Sequence, residues 1–279
     1  MARWLIDMAG VKITVRANAG PANELAELAL SAMQTKRVSS SQGIELRLKF
    51  DDEVWELIDN SNNLRRKMKH SGDVIYHLTD RIVFHIADKA NNVNCLHAAA
   101  VSKGKSALVV PANSGAGKST FTTWLASQGF TYITDELILV NKVGELNGIA
   151  RPIQIKFHGL EAIDHLLDKP ELVQRGKFAT ALPLECLAAD TAADEKQLSL
   201  FIFPKYKKGA EFSFEKLSSA DAGMRLMANH VNARNLEGHG FRAMMALIRN
   251  TPSYSLEYGG FDTLPNDFSS QLEALLKHV

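Results

Sequence analysis

Leu108-Val109-Val110-Pro111-Ala112-Asn113-Ser114-Gly115-Ala116-Gly117-Lys118-Ser119-Thr120 passes from an apolar run, through a small glycine-punctuated stretch, into the start of an amphipathic segment. Leu108-Val109-Val110 reads as a buried strand, and Phe121, Trp124 and Leu125 mark one face of a helix that begins near Lys118 and stops near Gly129. A glycine-rich turn between a strand and a helix N-terminus offers successive backbone N–H groups to an anion. Asn113, Ser114, Gly115, Ala116, Gly117, Lys118, Ser119 and Thr120 therefore form a candidate phosphate cradle. Gly115 and Gly117 let the backbone approach the ligand, Lys118 supplies a point charge to the β- and γ-phosphates, and the Ser119 hydroxyl is the expected magnesium ligand. The strict pattern places glycine at the first position, where this chain has Ala112.

Working outward, Leu96-His97-Ala98-Ala99-Ala100-Val101 and the strand before the loop are joined by Ser102-Lys103-Gly104-Lys105, which predicts a hairpin feeding the loop. Residues 132–140 return as a strand, completing a strand–loop–helix–strand unit. Asp135-Glu136 interrupts that apolar strand, and a carboxylate there could accept a hydroxyl proton or hold magnesium. Neighbouring strand residues point to opposite faces, so only one acid faces the loop unless the strand bends; the roles of the two stay open. His97, in the neighbouring strand, could face a transferred phosphate, although a single histidine in an apolar strand is more often a packed core residue.

In combination these residues resemble HPr kinase/phosphorylase and its relatives. That family carries a His-Gly segment, a Gly-Asp-Ser-Gly-x-Gly-Lys-Ser loop, Lys/Arg-Gly-His and an Asp-Asp pair. The matching runs here are Leu96-His97-Ala98, Ala112-Asn113-Ser114-Gly115-Ala116-Gly117-Lys118-Ser119, Gln128-Gly129-Phe130 and Asp135-Glu136. The resemblance covers residues 95–140 well, the remainder weakly and residues 1–94 not at all in motifs, which points to a relative and not to a true HPr kinase. It implies an α/β P-loop catalytic domain of the HPr-kinase-like, PEP-carboxykinase-like type, using ATP and Mg2+ to phosphorylate a protein serine or a small-molecule hydroxyl. His97, Lys118, Asp135 and Glu136 would be its active-site residues, with Ser119 and Asp135 at the metal. Glu136 stands where the family has aspartate, and its extra methylene either moves the base role to Asp135 or needs a wider pocket. Ala233-Arg234-Asn235-Leu236 looks like the family's Gly-Arg-Asn-Leu, which would set Arg234 against the transferring phosphoryl group. Glu161 is a candidate for the family's later magnesium glutamate. A homo-oligomer would follow the family pattern. The competing reading is a nucleotide-binding regulator or ATPase without an acceptor.

Across 279 residues, 32 basic and 31 acidic side chains produce no general field for nucleic acid or an anionic membrane. No stretch approaches the roughly 20 apolar residues that span a bilayer. Cys95 and Cys186 form neither a disulfide framework nor a metal-ligand pair, so a reducing cytoplasm is expected. Residues 1–94 read as a smaller α+β region for substrate or partner recognition, with a helix over 22–35, a strand over 44–50 and one or two strands over 73–86 turning at 79–81. The polar run 88–94 marks the boundary, and 95–279 read as the kinase domain. Strands are expected there at 153–157 and 198–203, and helices at 159–167, 220–228, 238–249 and 268–276. Pro204-Lys205-Tyr206-Lys207-Lys208-Gly209 is the one dense basic cluster and reads as a solvated loop. Arg151 is a candidate phosphate contact, and His158 and His165 read as surface residues without metal spacing. Met224, Met227, Met244 and Met245 read as helix core residues.

Overall fold

The apolar run before Ala112 is the central strand of the larger of two main sheets in the computed structural model, which describes residues 1–277 except Ser114, Ala188 and Ala193 and leaves out the side chains of Phe157 and His158. Ser114 and the His158 side chain, both singled out from the sequence, thus lie outside the described residues.

The chain opens with strands β1 (Ala2–Met8) and β2 (Val11–Ala17), helix α1 (Pro21–Leu30), and strands β3 (Lys36–Arg37), β4 (Ile44–Asp51), β5 (Val54–Asp59) and β6 (Leu64–Met68). These strands form a six-stranded sheet in the order β3-β1-β2-β4-β5-β6. Helix α2 (Ser71–Lys89) follows, where the sequence pattern predicts strands turning at 79–81. That expectation is corrected: Val74, Ile75, Leu78, Thr79, Ile82, Val83 and Ile86 are buried at helical spacing along one face. Their β-branched content mimics a strand, but a face that fits the sheet surface outweighs a weak local preference. Asp59, fully buried at the end of β5, accepts from Arg81 Nε at 3.0 Å and from Arg81 Nη2 at 2.8 Å, and its Oδ2 lies 2.7 Å from His85 Nε2. This network pins α2 to the sheet.

The second region holds β7 (Asn94–Lys103), β8 (Ser106–Pro111), helix α3 (Lys118–Ser127), β9 (Thr131–Thr134), β10 (Leu137–Val140), β11 (Glu145–Gly148), β12 (Ile153–Ile155) and helix α4 (Phe157–Ile163). Then come β13 (Thr180–Leu182), β14 (Lys196–Tyr206), β15 (Ser213–Lys216), α5 (Ser219–Met227), α6 (Phe241–Asn250), β16 (Ser253–Tyr258) and α7 (Phe268–Lys277). Their eight-stranded sheet runs β11-β10-β7-β8-β14-β16-β15, with β9 also on β7, while β12 and β13 make a separate pair. The predicted β7–β8 hairpin is present, and β14 and β16 lie parallel to one another with β14 parallel to β8. The result is a mixed α/β protein.

Apolar side chains of α3 and α7, including Phe121, Leu125, Phe268 and Leu272, cover one face of this sheet; Leu226, Met244 and Leu247 of α5 and α6 lie in a separate cluster with Leu96, Val109 and Phe201. Met224 is exposed, contrary to its reading as a core residue. The core of the six-stranded sheet also takes in Cys95, Leu137, Leu139, Ile149 and Ala181. Among the described residues no helix is long and apolar enough to cross a membrane.

Candidate active site

The loop after β8 delivers its residues to the N-terminus of α3, where Gly117 is the N-cap at φ 92° and Phe121 N makes the first backbone bond back to Gly117 O at 2.8 Å. The N–H groups of the first turn ahead of it have no intrahelical acceptor. A Cβ on Gly117 would lie 3.0 Å from the Tyr258 hydroxyl, a tight contact that the tyrosine would have to yield to, and the left-handed backbone itself favours glycine there. Gly115, at φ 90°, meets no neighbour and needs glycine for conformation alone. Asn113 and Gly115 are exposed, Ala116, Gly117, Ser119 and Thr120 are partly buried, and Lys118 is buried. The Lys118 ammonium sits 2.6 Å from the Ala112 carbonyl oxygen, inside the curve of the loop. Burial lowers its pKa, opposed by the charges of Glu136 and Asp135.

The strand expected over 132–140 is broken at the acidic pair, which falls between β9 and β10. Thr134 Oγ1 accepts from Glu136 N at 3.2 Å and holds the break, while Ala98 N bonds Glu136 O at 3.2 Å on the β7 side. With the pleat interrupted, both acids meet one cation: Arg151 Nε is 2.9 Å from Asp135 Oδ1 and Arg151 Nη2 is 2.8 Å from Glu136 Oε2. Burial works against the charge of Arg151, but the two acids outweigh it and raise its pKa.

Asp135 is fully buried and accepts from four donors: Arg151 Nε, the Tyr132 hydroxyl at 3.2 Å, the Ser119 hydroxyl at 3.0 Å and the Gln154 amide at 3.1 Å. A carboxylate has about four lone-pair sites, so its accepting capacity is filled. The Ser119 bond ties the helix after the loop directly to the acidic break. Glu136 is more open, with 30% of its side chain exposed, and its Oε1 lies 3.4 Å from His97 Nε2. Burial would raise its pKa, yet Arg151, His97 and Lys118 together hold it down at about 2. His97 is placed by β7, pairing with Leu137 in register and donating its amide to Asn229 O at 2.8 Å.

From the first region, α2 faces the same field. Burial raises the pKa of Asp80, with Arg151 pulling it down and Glu136 pushing it up, and Tyr76 one turn earlier feels Asp80 and Glu136.

Lys118, Ser119, Asp135, Glu136 and His97 are thus brought together. Arg234 is not: its exposed guanidinium pairs with Asp88 near the C-terminal end of α2. Glu161 is exposed on α4 and makes no bond to the cluster. Arg151 is more central than a peripheral phosphate contact, since it cross-links both acids. Its signal was a lone charge inside the apolar run Ile149-Ala150-Arg151-Pro152-Ile153, which demands a buried partner. Tyr132 and the Gln154 amide carried no sequence signal, because their role depends on β9 and β12 converging on Asp135.

Among the described residues no group of three or more His, Cys, Asp or Glu forms a metal cage. Magnesium bound chiefly through substrate phosphates needs only one or two protein oxygens, and the Ser119 hydroxyl, which donates its proton to Asp135 and keeps its own lone pairs, fits that requirement. No protein-family model matches the sequence, and a search of curated proteins finds no match. Among solved structures, the chain is similar to the HPr(Ser) kinase/phosphatase from Coxiella burnetii, at 10% identity and a TM-score of 0.32, over 66% of this chain and 88% of that one.

Proposed function

We propose that this chain is a P-loop phosphotransferase of the HPr-kinase-like type that moves the γ-phosphate of ATP to a serine or small-molecule hydroxyl. The observation that carries the reading is the 3.0 Å bond from Ser119 to Asp135, which joins a glycine loop and helix N-terminus to a buried acid beside a second, more open one. The free N–H groups at the start of α3 and the Lys118 ammonium neutralise the polyphosphate. The Ser119 hydroxyl, held in place by its bond to Asp135, would hold magnesium, which when bound would supply positive charge to the leaving phosphates, with Asp135 adding negative charge behind it. Asp135, saturated with donors, acts as a positioned anion and not as a base.

Glu136 takes the base role. Its partly open carboxylate, next to His97, accepts the hydroxyl proton while the acceptor oxygen bonds to the γ-phosphorus and the bond to the bridging oxygen breaks. A carboxylate held near pKa 2 is a weak base, which a loose phosphoryl-transfer transition state tolerates. Residues 1–94, whose α2 presents Tyr76 and Asp80 toward this field, form the recognition region for the acceptor, and 95–279 the catalytic domain.

The test is calorimetry with MgATP followed by transfer of labelled γ-phosphate. Wild type binds and labels an acceptor, Lys118→Ala does not bind, and Glu136→Gln binds normally while transferring at least tenfold more slowly. Tight binding by Lys118→Ala, or label released only as free phosphate, rejects the proposal.

A further inference from the structure

The acidic cluster flanks the loop on one side only. In the sheet order β10-β7-β8-β14-β16, the acids stand beyond β7, and the opposite flank is built by β14 and β16. Both strands run in the direction of β8, so their C-terminal ends lie at the same sheet edge as the loop, the edge where open parallel sheets receive ligands. Phe201 pairs with Val109, after which β8 ends at Pro111 whereas β14 continues to Tyr206. The ends of β14 and β16 thus stand up beside the loop as a wall, with Tyr206 and Tyr258 paired in register at its rim.

The two tyrosines differ in exposure. Tyr258 is buried, with its hydroxyl against Gly117, while Tyr206 keeps 48% of its surface open although its Cβ stands only 3.4 Å from a Cβ built on Gly117. The rings meet edge to face, centroids 5.7 Å apart at 65°, so Tyr258 braces Tyr206 without covering it. The backbone around Tyr206 is held by the β14–β16 ladder and by Lys207 N on Tyr258 O at 3.0 Å, with the exposed side-chain pair of Lys205 Nζ and Glu257 Oε2 at 2.8 Å alongside. The half-open ring stands beside Gly117 on the side of the loop away from the acids, backed by Tyr258 and free on its outer side.

We infer that Tyr206 is the stacking platform for the base of the bound nucleoside triphosphate. This rests on the phosphate-loop reading above and extends it: the nucleotide lies across the sheet edge, base on the β14–β16 flank, phosphates in the loop and transferred group at Glu136 and His97. Lys207 and Lys208 add positive charge beside the same rim. Stacking reads a π-face and not hydrogen-bonding edges, so purine triphosphates bind better than pyrimidine ones, with little discrimination between ATP and GTP.

Calorimetric titration with ATP, UTP and inorganic tripolyphosphate tests this on wild type, Tyr206→Phe and Tyr206→Ala. Wild type should bind ATP more tightly than UTP and both more tightly than tripolyphosphate. Tyr206→Ala should lose roughly tenfold in ATP affinity and bind tripolyphosphate as wild type does, with Tyr206→Phe close to wild type for all three. If wild type binds ATP no better than tripolyphosphate, or Tyr206→Ala keeps full ATP affinity, the stacking site is overturned while the phosphate loop stands. Equal loss of ATP and tripolyphosphate in Tyr206→Ala also overturns it, since the ring would then support the loop alone. Wild type that binds neither ligand overturns both readings.

Discussion

Glu136 is a surface-reaching acid whose charge is fixed by what lies behind it. Its folded pKa of about 2 lies below the ordinary 4.5, with Arg151 the main lowering influence against the opposing effect of burial. A depressed carboxylate stabilises the fold fully above its unfolded value, and that contribution is lost as pH falls from about 4.5 toward 2. Urea midpoints measured at about pH 7 and about pH 3 should therefore show Glu136→Gln less stable than wild type at the higher pH, with the gap closing at the lower. A gap of constant size would remove the Arg151–Glu136 pair as a pH-dependent contributor. Asp135 differs from its neighbour in kind: with four donors and no exposure, it organises Tyr132, Ser119, Arg151 and Gln154 around one point.

At the level of elements, α2 shows how position overrides local preference. Its N-terminal turn is clamped to the segment before β13: Asp73, buried, accepts from Lys177 N and Phe178 N, each at 2.9 Å, and Gly72 N bonds Arg175 O at 3.2 Å. The contact is close enough that a Cβ on Gly72 would fall 2.4 Å from Gln174 O. Asp73→Ala leaves two amides without their acceptor and should cost about 1–3 kcal/mol in chemical denaturation. The Lys177 and Phe178 amides should exchange faster in the same variant; unchanged exchange would show that the clamp does not hold this segment. The clamp matters for the site because it anchors the helix whose Tyr76 and Asp80 lie within the electrostatic reach of Arg151 and Glu136.

Over the whole molecule, the link between the two sheets is tied by residues far apart in the chain. Asn232, fully buried, accepts from Cys95 N at 2.8 Å and donates to Ala90 O and Val93 O, each at 2.9 Å. One side chain thus closes the connection between α2 and β7, the strand that carries His97. Asn232→Ala strands Cys95 N and Val93 O, while Ala90 O keeps the Asn235 amide at 3.2 Å, and should lower stability by about 1–3 kcal/mol. Because Leu137 and Leu139 share a core with the first sheet, unfolding followed by Trp55 and Trp124 fluorescence variants should remain one transition with a lower midpoint. Two separated transitions would show the sheets to be energetically independent.

The sequence alone determined the strand–loop–helix unit and the β7–β8 hairpin, because each depends on contacts within a short stretch: glycine geometry and apolar periodicity. It marked Asp135-Glu136 as a charge interrupting an apolar run, while the grouping of His97 and the acids with Lys118 and Ser119 was implied only by the family resemblance. It also marked most helices and strands of the second region. Only the tertiary structure decided the rest. The helical state of residues 71–89 depends on the sheet surface that α2 covers, and the break at Asp135-Glu136 on Thr134 and Arg151. The displacement of Arg234 to Asp88 follows from the path of the chain after α5. The exposure of Tyr206 beside Gly117 arises from parallel strands whose pairing is long-range, and no local pattern records which residues a sheet brings to one edge.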